Sequence, residues 1–253
     1  DAMKELGVVE YCAKLKEEGK IRYYGFSFHD DYEVFDEILH YRDWDFCQIQ
    51  YNYMDTQEQA GDKGYALAES LGVPLVIMEP IKGGSLANFS EDINDRFHKM
   101  DPDRSVASYA LRWVGSHPNV KVILSGMSTM DQVEDNLKTF QDFSPLSEAE
   151  DKEIESIVTE LRSRVQNGCT GCRYCMPCPA GVNIPGNFKV WNDYHMYRTY
   201  DHVKWSWEKE LKEEEKAKNC IKCGKCETLC PQKLSIRDNL VQVQKDLDER
   251  IFK

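Results

Sequence analysis

Phe46-Cys47-Gln48-Ile49-Gln50-Tyr51, then a helical stretch over Tyr65 to Leu71 that stops at Gly72, then Leu75-Val76-Ile77-Met78: this succession decides the fold. Two short apolar runs separated by a helix with a glycine stop describe a crossover between parallel strands. The pattern extends both ways. Upstream, a helix predicted over Lys4 to Glu18 stops at Gly19, Tyr23 to Phe28 reads as a strand, and Asp30 or Asp31 can cap the helix that runs through Tyr41. Downstream, after a loop, Ser105 to Ser116 reads as helix, Val120 to Leu124 as strand, and Thr129 caps a further helix. Four strands, each followed by a helix, imply parallel pairing with right-handed crossovers.

Such strands bury both faces, which suits β-branched and aromatic runs better than strict alternation. A doubly wound sheet and a (β/α) barrel both fit this pattern, and the polar residues separate them. Each strand ends in polar or glycine-bearing sequence, at Ser27 to Asp31, Gln50 to Asn52, Glu79 to Gly84 and Ser125-Gly126, as on the active face of a barrel. No G-x-G-x-x-G follows any strand, which counts against the doubly wound form.

The 253 residues, 41% hydrophobic and 30% charged, suffice for a sizeable core plus a smaller unit and exclude disorder as the main state. A net charge of −12 repels phosphate backbones and anionic lipid, so nucleic acid and membrane are not expected partners. No run approaches the roughly 18 apolar residues of a membrane span, and the first residues lack the pattern of a signal peptide. A cytoplasmic location is expected. Ser147 and Glu150 form a capping box that opens a long helix with Ile154, Ile157, Val158, Leu161 and Val165 along one stripe. The expected division is an α/β region over 1–145, a linking helix over 146–168, and an all-α region over 169–253.

Of ten cysteines, Cys12 and Cys47 stand apart and eight fall in two knots: Cys169, Cys172, Cys175 and Cys178-Pro179, then Cys220, Cys223, Cys226 and Cys230-Pro231. Spacing of two residues points three successive thiolates at one iron–sulfur cube, while the fourth, before proline, swings to the other cube. Zinc uses cysteines in pairs, and a disulfide scaffold does not suit a reducing compartment. Two [4Fe–4S] clusters are therefore expected. Cys169, Cys172, Cys175 and Cys230 would hold one, and Cys220, Cys223, Cys226 and Cys178 the other.

This segment, from Cys169 to about Ile236, resembles the α-helical two-cluster ferredoxin domains appended to redox enzymes. It departs from them in having two residues, not three, before Cys178. The strings GKIRYYGFSFHD (19–30), FCQIQYNYMD (46–55), GVPLVIMEPIKGG (72–84) and VILSGMSTMDQVEDNL (122–137), in this order, resemble the second half of an aldo/keto reductase barrel. CTGCRYCMPCPAGVNIP (169–185) resembles the iron–sulfur branch of that family.

The resemblance implies the second half of a (β/α)8 TIM barrel, with a nicotinamide cofactor, NADP(H) or NAD(H), across its C-terminal face. It places Ser27 and Gln48 at the carboxamide and Met78 where an aromatic often stacks, while Phe28 replaces an Asn of the family. Ser125, Gly126, Ser128 and Thr129 match the loop over the adenosine phosphate, Gln132 the position that reads the 2′-phosphate, and Asn136 the adenine contact. Taken singly, Ser27, Gln48 and Asn136 also read as a cap, a strand-end polar group and a helix-surface residue; at four successive strand ends they read together as a cofactor face.

His29 reads as an exposed loop residue, and Trp113, Trp191, Trp205 and Trp207 as packing residues. The activity implied is interconversion of a small carbonyl or hydroxyl substrate, with a redox protein as possible partner. The family's Tyr, Lys, Asp and His tetrad would lie before residue 1, so the chain reads as N-terminally truncated and inactive by itself. The alternative is a non-catalytic electron-transfer or interaction module carrying the two clusters.

Overall fold

The computed structural model describes residues 5–198 and 200–251. The predicted start of the first helix at Lys4 and the side chain of His202 lie outside the described residues. The chain divides into two compact units, Asp1–Ala87 with Phe97–Ile154, and Asn88–Arg96 with Glu155–Lys253.

In the first unit, β1 (Gly25–Ser27), β2 (Phe46–Gln50), β3 (Leu75–Met78) and β4 (Val120–Ile123) run parallel in the order β1-β2-β3-β4. Sequential order is what successive right-handed crossovers give around a barrel, whereas a doubly wound sheet reverses direction at a switch point. Helices α1 (Val8–Glu17), α2 (Tyr32–His40) and α3 (Gly61–Ser70) accompany the strands, α4 (Glu91–Met100) is divided between the units, α5 (Val106–Gly115) and α6 (Met130–Gln141) belong to the first, and α7 (Glu148–Ser163) is again divided. Ser105 caps α5 by accepting from the Ser108 amide, and Thr129 and Gln132 form a capping box on α6. Asp31 stands at the N-cap of α2, yet its side chain makes no capping bond.

Three features differ from the sequence reading. Helix α4 lies within the stretch read as loop; only Ile93 and Phe97 on it are apolar and fully buried, a stripe too short to announce itself. Strands β2 and β3 bury one face, not both, and β1 and β4 bury neither fully. Cys47, Ile49, Leu75 and Ile77 are fully buried in a core with Phe28, Phe35, Leu39 and Val114, while Gln48, Gln50, Val76 and Met78 alternate with them and stay half-buried. The alternation arises because helices cover one side and, in this chain, the barrel-interior side is only partly filled. Trp205 is 56% exposed and packs no core, unlike Trp191 and Trp207.

The second unit is helical, with α8 (Ile184–Tyr197), α9 (Tyr200–Trp205), the short α10 (Lys225–Leu229) and α11 (Ile236–Gln244). Its core gathers Ile184, Phe188, Trp191, Trp207, Leu240 and Val243. Fully buried Asn187 donates to the carbonyls of Asn183 and Glu215 and accepts from the Ala217 amide, so one side chain ties the turn at 213–217 to α8. Trp191 and Trp207 donate their indole N–H groups to Asp246 and Asp248. The boundary between the units falls inside α7, whose Ile154, Ile157, Val158 and Leu161 are buried as expected; Val165 lies past its end and is 36% exposed.

Arg112, on α5, is the most buried cation of the first unit's ion pairs, its side chain 3% exposed. Its guanidinium donates to both carboxylate oxygens of Glu150, at 2.6 and 3.1 Å, and to the carbonyls of Ser144 and Pro145. Burial by itself would raise the Glu150 carboxyl, but hydrogen bonds from Arg112 and Ser147 outweigh it and hold the group at about 2. An unfolded chain takes up this proton near the ordinary glutamate value, whereas the folded one resists until about pH 2. The stabilisation, roughly 3 kcal/mol, is therefore complete above about pH 4.5 and is lost as pH falls towards 2. Urea midpoints measured from pH 6 down to pH 3 should fall more steeply for the native chain than for Glu150→Gln. Equal slopes would show that the pair carries none of the acid sensitivity.

Candidate metal centre and cofactor face

The eight knot cysteines line two small cavities. The first is lined by Cys169, Cys172 and Cys175 from the first knot together with Cys230 from the second. The other is lined by Cys220, Cys223 and Cys226 together with Cys178, and Cys175 and Ile184 reach both. The first cavity thus meets three cysteines of the first knot and the last of the second, and the other meets three cysteines of the second knot with the last two of the first. Among the described residues no group of three His, Cys, Asp or Glu side chains closes in on a single ion.

Burial pushes the thiols of Cys169 and Cys175 above the ordinary value, and neighbouring thiolates, including Cys230, add to it. Cys226 rises to about 11 through burial, with contributions from Glu227 and Cys220. Four thiolates so placed ionise together only against cationic metal, and sulfur donors suit iron–sulfur centres. The residues present therefore fit a [4Fe–4S] group at each cavity. Cys47 behaves otherwise: fully buried among apolar side chains, its thiol is pushed up to about 12, the property of an inert core residue.

The backbone around the cavities repeats. Left-handed φ occurs at Gly171 and Arg173 in the first knot, and at Lys222 and Gly224 at the corresponding places in the second. After each Cys-Pro the third residue is again left-handed, Gly181 in one case and Lys233 in the other, and each donates its amide to the carbonyl of Cys178 or Cys230. Asn183 and Ser235 then stand at the N-caps of α8 and α11, with Ile184 and Ile236 buried as the first helical residues. In every pair one position is glycine, which adopts this conformation freely, and its counterpart is Arg or Lys, for which it costs about 1 kcal/mol.

On the first unit the predicted cofactor residues fall into two sets. The Gln48 amide donates to the Ser27 hydroxyl at 3.3 Å and to the Met78 sulfur at 3.4 Å, so these three meet at the ends of β1 to β3. Phe28 points the other way, 3% exposed, with its ring 5.0 Å from Phe35 in the helix-side core. In the second set Asn136 donates to the Ser125 hydroxyl at 3.0 Å, with Gly126 in the same exposed loop. Gln132 uses its carbonyl oxygen to accept from the Ser128 and Thr129 amides, while Thr129 accepts from the Gln132 amide. The Ser128 and Thr129 N–H groups are thus held by the Gln132 side chain. His29 is exposed, as expected.

One polar cluster at the strand ends escaped the sequence reading. Asp55, 6% exposed, accepts two hydrogen bonds from the Lys82 ammonium at 2.6 and 2.7 Å and one each from Gln50 and Asn52 at 3.0 Å. Fully buried Asn52 also donates to the Glu79 carbonyl, joining the loops after β2 and β3. Glu79 and Lys82 both have left-handed φ. The signal was the polar content of segments 50–55 and 79–84, but pairing across 27 residues is invisible without the fold.

Comparisons with known proteins agree with this picture. The aldo/keto reductase family profile matches residues 4–159, and that of the 4Fe-4S dicluster domain matches residues 168–235. The first match spans more than half of the chain, and the chain belongs to the aldo/keto reductase family. Similar solved structures include the holo form of an aldo-keto reductase from Bacillus halodurans, 25% identical over 57% of this chain and 52% of that one, with a TM-score of 0.46. An aldo-keto reductase from Klebsiella pneumoniae in complex with NADPH is 20% identical over 59% of this chain and 52% of its own, with a TM-score of 0.47. An aldose reductase from Giardia lamblia is 17% identical over 59% and 48%, with a TM-score of 0.45. The chain spans about half the length of these structures. No curated protein matches it significantly. Among the described residues no helix is long and apolar enough to cross a membrane.

Removing the carboxylate from the strand-end cluster leaves the Lys82 ammonium, 30% exposed, without its counter-charge, and leaves Gln50 and Asn52 short of an acceptor. Asp55→Ala should cost about 3 kcal/mol, a value for breaking a largely buried pair. Urea unfolding checks this: the midpoint should drop at unchanged m value, while Lys82→Met, which removes the buried charge's partner but fills the space, should also drop it.

Proposed function

We propose that the chain belongs to an iron–sulfur oxidoreductase that couples an aldo/keto reductase unit to two [4Fe–4S] clusters. The observation that carries this reading is the pair of adjoining cavities, each lined by three cysteines of one knot and the fourth of the other. Cys169, Cys172, Cys175 and Cys230 hold one cluster, and Cys220, Cys223, Cys226 and Cys178 hold the second. Bound there, such a group takes up or releases one electron at a time. Ile184, Phe188 and Leu240 line the cavities with apolar surface, which limits water at the sulfurs.

On the reductase unit, Ser27 and Gln48 bind and orient the carboxamide of NADP(H) or NAD(H), with Met78 supplying a soft contact beside them. Ser125, Gly126, Ser128 and Thr129 receive the adenosine phosphate, Gln132 turns its amide towards the 2′ position, and Asn136 contacts adenine. The substrate class is a small carbonyl or alcohol. A redox protein partner supplies or removes the single electrons.

Anaerobically prepared protein should contain about eight iron and eight acid-labile sulfide per chain. Stoichiometric zinc without sulfide overturns the reading. If ligation is exchanged between knots, Cys178→Ala should abolish the same reduced-state EPR signal as Cys223→Ala and spare the one that Cys172→Ala removes, and Cys230→Ala should do the reverse. Loss of one signal by both Cys178→Ala and Cys172→Ala would mean that each knot closes on itself.

A further inference from the structure

The segments that carry the eight cysteines, 169–181 and 220–237, hold five cations, Arg173, Lys222, Lys225, Lys233 and Arg237, and one carboxylate, Glu227. This occurs in a chain of net charge −12. Glu227 is paired with Arg237, whereas Arg173, Lys222, Lys225 and Lys233 have no carboxylate within ion-pairing distance among the described residues and are exposed. Arg173 lines one cavity, and Lys222 and Arg237 the other. The same segments expose Tyr174, Ile221 and Leu229, by 67%, 66% and 44%, and Cys172 and Cys223 are the most accessible of the cysteines.

Backbone economy does not explain these cations. Arg173, Lys222 and Lys233 occupy the three left-handed positions whose counterparts in the repeat are Gly224, Gly171 and Gly181. Glycine would satisfy the geometry at each, yet the non-glycine member of each pair is basic. Arg173 and Lys222 each hold their charge at a cysteine cavity, and Lys233 holds its charge on the exposed turn that follows Cys230-Pro231.

We propose that these basic segments, with Tyr174, Ile221 and Leu229 exposed on them, form a collar that docks a small acidic one-electron carrier protein against the cysteine cavities. The inference rests on the iron–sulfur reading above and adds the partner's chemistry. A carrier with an acidic face is repelled by most of this chain and attracted at the collar, which orients the encounter. The exposed aromatic and aliphatic side chains then give close contact. In the exchange the reduced carrier loses one electron and is oxidised, the thiolate-bound centre gains it and is reduced, and no proton moves or bond breaks.

The test uses the full chain with its centres reconstituted, and an acidic plant-type ferredoxin as probe. Binding is followed by calorimetry at low salt and at about 0.3 M salt, where charges are screened within several ångströms. The triple variant Arg173→Gly, Lys222→Gly, Lys233→Gly keeps the left-handed backbone accessible and removes three charges. A second variant, Lys225→Glu, reverses a charge with no left-handed residue involved. The native chain should bind the ferredoxin at low salt and lose affinity at high salt, and both variants should bind at least tenfold more weakly with unchanged iron and labile sulfide. Unchanged affinity in variants that retain sulfide overturns the docking surface alone, as does failure of the loaded native chain to bind. Equally tight, equally collar-dependent binding of duplex DNA overturns it too, since the collar then attracts any polyanion. Native protein without labile sulfide overturns the iron–sulfur reading and this inference together.

Discussion

The convergence of both knots on shared cavities is the constraint around which the helical unit is packed. Burial, with smaller contributions from neighbouring cysteines, holds the Cys169 and Cys175 thiols above their ordinary value. Each knot contributes its last cysteine to the other cavity, which places the Cys-Pro turns, and through them the starts of α8 and α11, at fixed positions on the core. Ile184 belongs to both cavity walls and to that core, so site and packing share atoms. Asn187 fixes the turn at 213–217, which leads into the second knot, with hydrogen bonds at three backbone groups.

The reductase unit depends on a different balance. One face of β2 and β3 is sealed by helices, and the other presents Gln48, Gln50 and Met78, side chains with hydrogen-bonding capacity or soft sulfur. The strand ends are stiffened from within by Asp55 and Lys82, joined to Gln50 and Asn52. Gln132 occupies the Ser128 and Thr129 amides and so satisfies the helix end from within the loop.

Legibility followed the range of the interaction. The strands and their parallel pairing were readable because each rests on a local run: Leu75–Met78 was located to the residue. The Ser147 and Glu150 capping box was equally visible, being three residues apart. Helix α4 was not, because its burial comes from Ile93 and Phe97 alone within a charged run. One-sided burial of β2 and β3 depends on what covers the second face, which no residue in the strands states. Lys82 sits in a segment noted as polar, but its partner Asp55 comes from a different strand end. The three left-handed cations were in plain view as letters, and only backbone angles reveal that they stand where the paired loop has glycine.

The exchange of Cys178 and Cys230 between cavities also governs how the protein comes apart. A protease or unfolding machine that pulls from the C-terminal end draws out α11 and then Cys230, and Cys230 belongs to the cavity built on the first knot. Further pulling reaches Cys226, Cys223 and Cys220 and empties the other. Damage begun at one end therefore reaches both cavities in quick succession, leaving no stretch in which one knot is dismantled while the other stays whole. Losing the C-terminal segment thus breaches the lining of both cavities, although it carries only one of the two knots.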